Sequence, residues 1–171
     1  MAGSLLVAGA AGERNSCVDG ALVQIADGRT LECPTESTVF SASFTNDGCQ
    51  CVVGTWKGDV LVFAPDGQAI ATLSGHTARV ADVVAHPTDP QVVLTYGDDG
   101  TLRVWHLGLL REVTTLRPFA TCNIRTAGFS DGGNAIAAVG TDGSLVSYSI
   151  TFADRIIEQA KGVRESGESI E

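Results

Sequence analysis

One serine in the chain lies in a pattern that serine hydrolases use for their nucleophile. Ser130 is the central residue of Gly128-Phe-Ser-Asp-Gly132, which satisfies G-x-S-x-G. In those enzymes the pattern forms a sharp turn between a strand and a helix, with the hydroxyl exposed at its apex. Here the next segment, 135–139, is predicted to be a strand. We therefore expect an ordinary surface turn at Ser130, and a serine hydrolase is the alternative function.

Carboxylates and thiols do not combine into a metal site. Asp98, Asp99 and Asp131 lie outside any D-x-D-x-D-G array with a later Glu, so calcium binding is not indicated. Cys49 and Cys51 form a C-x-C pair without a second pair at zinc spacing. We predict turn aspartates, cysteines that are buried or half-buried in strands in a reducing compartment, and no metal or cofactor.

The composition excludes several classes of partner. The formal net charge is −9, and 18% of the residues are charged against 44% hydrophobic. A protein that binds nucleic acid normally carries a basic stripe, and none is visible, so neither nucleic acid nor an anionic membrane surface is an expected partner. No apolar stretch is long enough to cross a bilayer. These observations predict a soluble, cytoplasmic protein.

Four glycines mark an internal repeat of about 40 residues, which is the period of β-propeller blades. Each glycine is followed by an apolar strand that ends in a large residue in most copies: Gly20, Gly58, Gly100 and Gly143. Upstream of the last three glycines, segments 39–44, 80–85 and 124–129 carry apolar residues at their first, fourth and sixth positions. This spacing departs from strict alternation, as a β-bulge near the start of each strand would require.

The repeat predicts an all-β fold built from four-stranded antiparallel blades, about three to three and a half in number. We divide the chain into five segments: 1–33, a partial first blade; 34–74, the second; 75–118, the third; 119–152, a partial fourth; and 153–171, an acidic tail or linker. Propellers close with about four to eight blades, because each sheet hides its faces between two neighbours. We therefore expect an incomplete ring, which is a fragment or associates through its open edges.

The third unit resembles the WD-repeat family. Gly75-His76 is followed by Val80-Ala-Asp-Val83 and then by the segment that ends in Trp105-His106, where the family has Trp-Asp. The resemblance implies a buried hydrogen-bonded tetrad with a structural role, formed by His76, Thr95, Asp99 and Trp105. A buried indole N–H requires an acceptor, and such a chain of hydrogen bonds would fix one strand against the next.

A narrower resemblance links residues 73–171 to the echinoderm microtubule-associated protein-like family. It rests on His86-Pro-Thr-Asp-Pro90 with the segment ending at Trp105, on Thr126-Ala-Gly-Phe-Ser-Asp-Gly-Gly133, and on the tail from Arg164. It implies tubulin or microtubules as a partner and a location at the cytoskeleton or in a cilium or flagellum.

Partners of WD propellers usually dock on the face that bears the loops before each innermost strand and before each turn glycine. The resemblance therefore implies a rim of partner-binding candidates: Thr38, Trp56, Arg79, Asp98, Asn123, Arg125 and Thr141. Trp and Arg are enriched at interface hot spots, although packing of Trp56 against its own turn and solvation of Arg79 and Arg125 are the simpler alternatives. We predict a protein–protein interaction scaffold without catalytic activity; a fragment without independent function is a further alternative.

Overall fold

A computed structural model describes residues 5–8, 20–24, 29–33 and 37–149 of the chain, with side chains from residue 37 onward. The predicted acidic tail or linker, 153–171, lies outside these residues. Within them the chain is almost entirely β-structure, and its only helical elements are two short 3-10 turns, Leu107–Leu109 and Asp131–Gly133.

In the described residues, fourteen strands form four antiparallel sheets that follow the order of the sequence. Sheet I contains β1 (Leu5–Ala8), β2 (Gly20–Gln24) and β3 (Arg29–Cys33). Sheet II contains β4 (Val39–Phe44), β5 (Cys51–Thr55), β6 (Val60–Phe63) and β7 (Ala69–Leu73). Sheet III contains β8 (Val80–Ala85), β9 (Val92–Gly97), β10 (Leu102–His106) and β11 (Arg111–Leu116). Sheet IV contains β12 (Ile124–Ser130), β13 (Ala135–Gly140) and β14 (Leu145–Ser149).

Each sheet is a meander in which consecutive strands pair, which confirms the predicted all-β, propeller-like class. Sheets II and III have four strands, whereas three strands are described for each of sheets I and IV. The four sheets follow one another along the described part of the chain without closing a ring.

The predicted bulges are present at the same place in three sheets. Pairing between the first two strands slips by one residue between Val39 and Ser41, between Val80 and Asp82, and between Ile124 and Thr126. A bulge reverses the facing of the residues after it, which is why the apolar positions of these strands do not alternate strictly.

The core lies between facing sheets. Strands β5 and β9 are buried along their whole length, because each is the second strand of a sheet that packs on both faces. One cluster joins sheets II and III around Trp105, Val80 and Val60, and a second joins sheets III and IV around Leu94 and Ile136.

The prediction of cysteines that are buried or half-buried in strands is confirmed for Cys51 and wrong for Cys49 and Cys122, which lie outside the strands; Cys17 lies outside the described residues. Cys51 is buried and Cys122 is half-buried, but Cys49 is exposed, because it belongs to the tight turn between β4 and β5. No helix among the described residues is long and apolar enough to cross a membrane.

Candidate functional site

The predicted rim is built by one local hydrogen bond that recurs in sheets II, III and IV. The residue after the second strand donates its backbone N–H to the carbonyl of the residue before the first strand. The three bonds are Trp56 to Thr38 at 2.8 Å, Asp98 to Arg79 at 2.9 Å and Thr141 to Asn123 at 2.9 Å. Six of the seven predicted residues therefore occupy equivalent positions at the same end of their sheets.

Three of the predicted rim residues meet in one cluster, together with a residue that the sequence prediction missed. The ring centroids of Phe40 and Trp56 lie 5.3 Å apart. The guanidinium carbon of Arg79 lies 4.7 Å from the Phe40 centroid and 5.7 Å from that of Trp56. Asp98 accepts hydrogen bonds from Arg79 Nε at 2.9 Å and Nη2 at 3.1 Å. We call these four residues the aromatic–arginine cluster.

The aromatic–arginine cluster exposes a large apolar surface that is nevertheless held in place. Trp56 is 57% exposed and Phe40 is 42% exposed. The bidentate hydrogen bond to Asp98 fixes the Arg79 guanidinium. Because the guanidinium lies over both rings, it restricts the side-chain torsions of the two aromatic residues. Trp56 therefore does more than pack on its own turn, because its neighbours come from β4 and from the segment before β8.

Of the remaining rim residues, Thr38 adjoins the cluster through its bond from Trp56, whereas the other three belong to sheet IV and stand apart from it. Thr38, Asn123, Arg125 and Thr141 are all exposed. The Arg125 side chain makes no hydrogen bond or ion pair to any other described residue. The structure thus separates an apolar part of the rim, at sheets II and III, from a polar part at sheet IV.

The four predicted tetrad residues are joined by hydrogen bonds in sheet III. Trp105 Nε1 donates to Thr95 Oγ1 at 2.8 Å, and Thr95 Oγ1 lies 2.7 Å from His76 Nε2. His76 Nδ1 lies 3.0 Å from Asp99 Oδ2. Because the Asp99 carboxylate can only accept, the neutral His76 ring carries its hydrogen on Nδ1, and its Nε2 accepts from the Thr95 hydroxyl.

Thr101 extends this network, and the sequence analysis did not identify it. Its hydroxyl donates to Asp99 Oδ1 at 2.7 Å, and its backbone N–H donates to the same oxygen at 2.9 Å. The backbone N–H of Thr77 donates to Asp99 Oδ2 at 3.1 Å. The signal was the Asp99-Gly-Thr101 spacing, since an aspartate commonly accepts from the backbone two residues further on.

The environment stabilises one protonation state of the His76–Asp99 pair. Burial lowers the pKa of His76 below its ordinary value of 6.5, and the opposing attraction of Asp99 only partly offsets this effect. Desolvation raises the pKa of Asp99, but the hydrogen bonds from Thr101 and Thr77 outweigh it and bring the pKa to about 2. At neutral pH a neutral imidazole therefore donates to a carboxylate.

The surroundings of Ser130 do not form a nucleophile elbow. Ser130 is the exposed last residue of β12, and after one 3-10 turn the chain enters β13 instead of a helix. His86 Nε2 lies 3.1 Å from the carbonyl oxygen of Gly133 in this turn, and the His86 ring meets that of Phe129 edge-on. The turn is therefore a contact between sheets III and IV. No group of three or more His, Cys, Asp or Glu side chains among the described residues is arranged to hold a metal ion.

Comparison with known proteins gives a family match for the segment that contains the four tetrad residues. The family profile described as "WD domain, G-beta repeat" matches residues 67–106, which run from the end of sheet II through β10. This segment is similar to a WD repeat. The match includes the four tetrad residues and Arg79 and Asp98 of the rim.

Two curated relatives are similar to part of the chain. Nuclear distribution protein PAC1 of Komagataella phaffii is 38% identical over 65 residues, which are 38% of this chain and 12% of that protein. Polycomb protein EED of Chaetomium thermophilum is 31% identical over 64 residues, which are 37% of this chain and 11% of that protein. The matched stretch therefore spans about a tenth of the length of either relative.

A solved structure is similar to the arrangement of sheets beyond the segment that the family profile matches. A chain in the crystal structure of the mitotic checkpoint complex superposes with a TM-score of 0.66. The superposition covers 77% of this chain and 40% of that chain at 17% sequence identity. The similarity at this identity establishes the propeller-like fold.

Proposed function

We propose that this chain is a non-enzymatic protein-binding scaffold and that the aromatic–arginine cluster is its principal contact surface. The exposed pair of Phe40 and Trp56 supports this proposal more than any other feature. The two rings lie side by side at 42% and 57% exposure and are held by Arg79, which is itself paired with Asp98. Trp and Arg are the residue types that most often dominate binding energy at protein interfaces.

The cluster also has the rigidity that a contact surface benefits from. Side chains that are already fixed lose little conformational entropy when a partner covers them, so more of the buried area contributes to affinity. The backbone bond from Trp56 to Thr38 and the two bonds from Arg79 to Asp98 supply that order before binding.

Quantitative affinity capture tests this proposal with the full chain as bait. Trp56→Ala removes the larger ring of the cluster, and Ile70→Ala is the matched control, because Ile70 is 44% exposed on the outer strand β7. We expect partners captured by the wild type to be depleted at least about tenfold with Trp56→Ala and unchanged with Ile70→Ala. Equal recovery with both variants would exclude the cluster as the contact surface.

The cytoskeletal role implied by the narrower resemblance is a finer proposal, and it rests on the motifs around His86, Thr126 and Arg164 alone. Its test is co-sedimentation with polymerised tubulin, in which absence of the chain from the pellet would refute it. A cytoplasmic location and self-association through open sheet edges are likewise proposals, which microscopy and light scattering measure directly.

The serine hydrolase alternative has a direct test as well. A fluorophosphonate probe labels an activated serine covalently. We expect no labelling of the folded chain, because Ser130 lies in a turn between two strands. Labelling that Ser130→Ala abolishes would overturn the non-enzymatic assignment.

A further inference from the structure

Residues 76–79 connect the buried tetrad to the rim, and we call them the bridging segment. His76 belongs to the tetrad, and Arg79 carries its guanidinium to the aromatic–arginine cluster. The turn between β9 and β10 holds this segment at both ends. Asp99 accepts from the Thr77 backbone N–H at 3.1 Å and lies 3.0 Å from His76 Nδ1. Asp98 donates its backbone N–H to the Arg79 carbonyl oxygen at 2.9 Å.

The bridging segment also supports the turn of sheet II that carries Trp56. Gly58 lies two residues after Trp56 and has φ of 94°. A Cβ at Gly58 would lie 2.6 Å from the carbonyl oxygen of His76 and 2.9 Å from that of Ala78. The two backbones therefore touch without a side chain between them. The position of Trp56 relative to Arg79 depends on this contact.

The bridging segment fits its own sheet just as closely. A Cβ at Gly97 would lie 2.6 Å from the Arg79 carbonyl oxygen and 3.0 Å from His76 Nδ1. Close-packed groups pass a displacement on to their neighbours because there is no free volume to absorb it. A shift of the tetrad is therefore transmitted through the bridging segment to the rim.

The outer side of the turn between β9 and β10 faces a polar cavity of about 270 Å³ that opens on the rim beside Arg117. The opposite wall of this cavity is the connection from β11 to β12, from which Arg117 Nη1 donates to the Asp99 carbonyl oxygen at 3.1 Å. Packing on this side is loose. The hydrogen bonds of the Asp99 carboxylate therefore determine how the turn is held against the bridging segment.

The equivalent turn in sheet IV lacks this link to an aromatic surface. Asp142 occupies the position of Asp99, and it accepts from the backbone N–H of Ser144 at 2.9 Å and from its hydroxyl at 2.6 Å. The residue equivalent to Arg79 is Asn123, which does not belong to the aromatic–arginine cluster. Removing the charge of Asp142 is thus chemically matched to removing that of Asp99.

We propose that Asp99 is a positioning residue for the contact surface of the scaffold, an inference that rests on the proposed function. By holding the bridging segment, Asp99 keeps the Arg79 guanidinium over Phe40 and Trp56. The buried tetrad thereby has a second role besides stability, because it sets the order of the exposed rings at the rim.

Acrylamide quenching of tryptophan emission in the folded full chain tests the inference. Of the two tryptophans, Trp105 is buried and Trp56 is 57% exposed, so the quenching reports on Trp56. The test variant is Asp99→Asn. Asp142→Asn controls for the loss of a turn carboxylate, and Thr95→Val controls for damage to the other end of the tetrad. Circular dichroism establishes that each variant is fully folded at the temperature of the measurement.

We expect Asp99→Asn to raise the Trp56 quenching constant to that of Arg79→Met, with no further rise when the two changes are combined. Thr101→Val removes one hydrogen bond to the Asp99 carboxylate and keeps its charge, so this milder variant should give a smaller rise. Both controls should keep the wild-type value. An unchanged constant in Asp99→Asn, additive rises in the combined variant, or an equal rise in Thr95→Val would overturn the inference. The free chain is measured, so these results leave the scaffold proposal standing, which fails separately if Trp56→Ala captures partners as well as the wild type does.

Discussion

The guanidinium carbon of Arg79 lies 4.7 Å from the centroid of the Phe40 ring, although the two residues belong to different sheets. Phe40 is in the first strand of sheet II, and Arg79 directly precedes the first strand of sheet III. The contact therefore fixes the relative position of two repeats at the rim. It also keeps an exposed aromatic surface ordered without burying it, which is what a reusable contact surface requires.

Replacing Arg79 should loosen the cluster without unfolding the protein. An exposed cation–π contact contributes about 0.5–1 kcal/mol, and an exposed ion pair contributes less than about 1 kcal/mol. We expect Arg79→Met to lower the free energy of unfolding by about 1 kcal/mol and to increase acrylamide quenching of Trp56. Arg125→Met is the control and should change neither quantity. A loss of more than about 3 kcal/mol would show that Arg79 has a core role.

Thr95→Val should lower the free energy of unfolding far more than Arg79→Met, because two buried groups lose their hydrogen-bond partner. The change keeps the shape of the side chain but removes the oxygen that accepts from Trp105 Nε1 and lies beside His76 Nε2. An unsatisfied buried group costs about 1–3 kcal/mol, so we expect a total of about 2–4 kcal/mol in urea unfolding. Thr72→Val on the exposed face of β7 is the matched control. Similar losses for both variants would contradict a structural tetrad.

Two adjacent glycines in the turn after Ser130 should respond differently to alanine. Gly132 has φ of 64° and nothing near an added Cβ, so Gly132→Ala meets only backbone strain of about 1–2 kcal/mol. Gly133 has φ of 105°, and a Cβ there would collide with the His86 ring. We expect Gly133→Ala to destabilise the chain clearly more than Gly132→Ala, measured by thermal unfolding. Equal melting temperatures would mean that His86 does not pack against this turn.

The tetrad predicts loss of stability in acid. The pKa of His76 is lower in the folded chain than its ordinary 6.5, so below pH 6.5 the unfolded chain takes up the proton first. The contribution of the neutral His76 to the free energy of unfolding is complete above pH 6.5. It is lost as the pH falls towards the pKa of His76 in the folded state. Protonation of Asp99 adds a second loss of stability as the pH falls from 3.8 to about 2. Urea midpoints between pH 8 and pH 5 should fall for the wild type and fall less for His76→Gln; parallel curves would contradict the assignment.

The strands were predictable because the same physical pattern occurs several times. One copy of an apolar segment such as β5 could equally be a helix turn, but glycines at a period of about 40 residues fix the turns around it. The bulge in β4, β8 and β12 was visible for the same reason, since three segments share one irregular spacing.

The proposed contact surface was only partly predictable, because side chains from different repeats form it. Trp56 and Arg79 were identified from their positions in the repeat. Their contact with each other depends on how sheets II and III face one another. Phe40 was missed, although its position offered a signal. It lies second in β4, out of phase with the apolar first, fourth and sixth residues, and should therefore face solvent.

The cavity beside Arg117 had no signal in the sequence. Its walls come from a turn and from an irregular connection, whose course depends on tertiary packing and not on residue periodicity. Thr101 differs from the cavity, because the Asp99-Gly-Thr101 spacing was a signal for its hydrogen bonds to Asp99 and was overlooked.

Site-specific photo-crosslinking in cells tests the central claim most directly, which is that this rim contacts another protein. A benzophenone amino acid is placed at Thr38, which is exposed beside Trp56, and in a second sample at Thr72, which is exposed on the outer strand β7. We predict crosslinked adducts of higher mass from position 38 and none from position 72. Adducts from position 72 alone, or from neither position, would contradict a protein-binding rim.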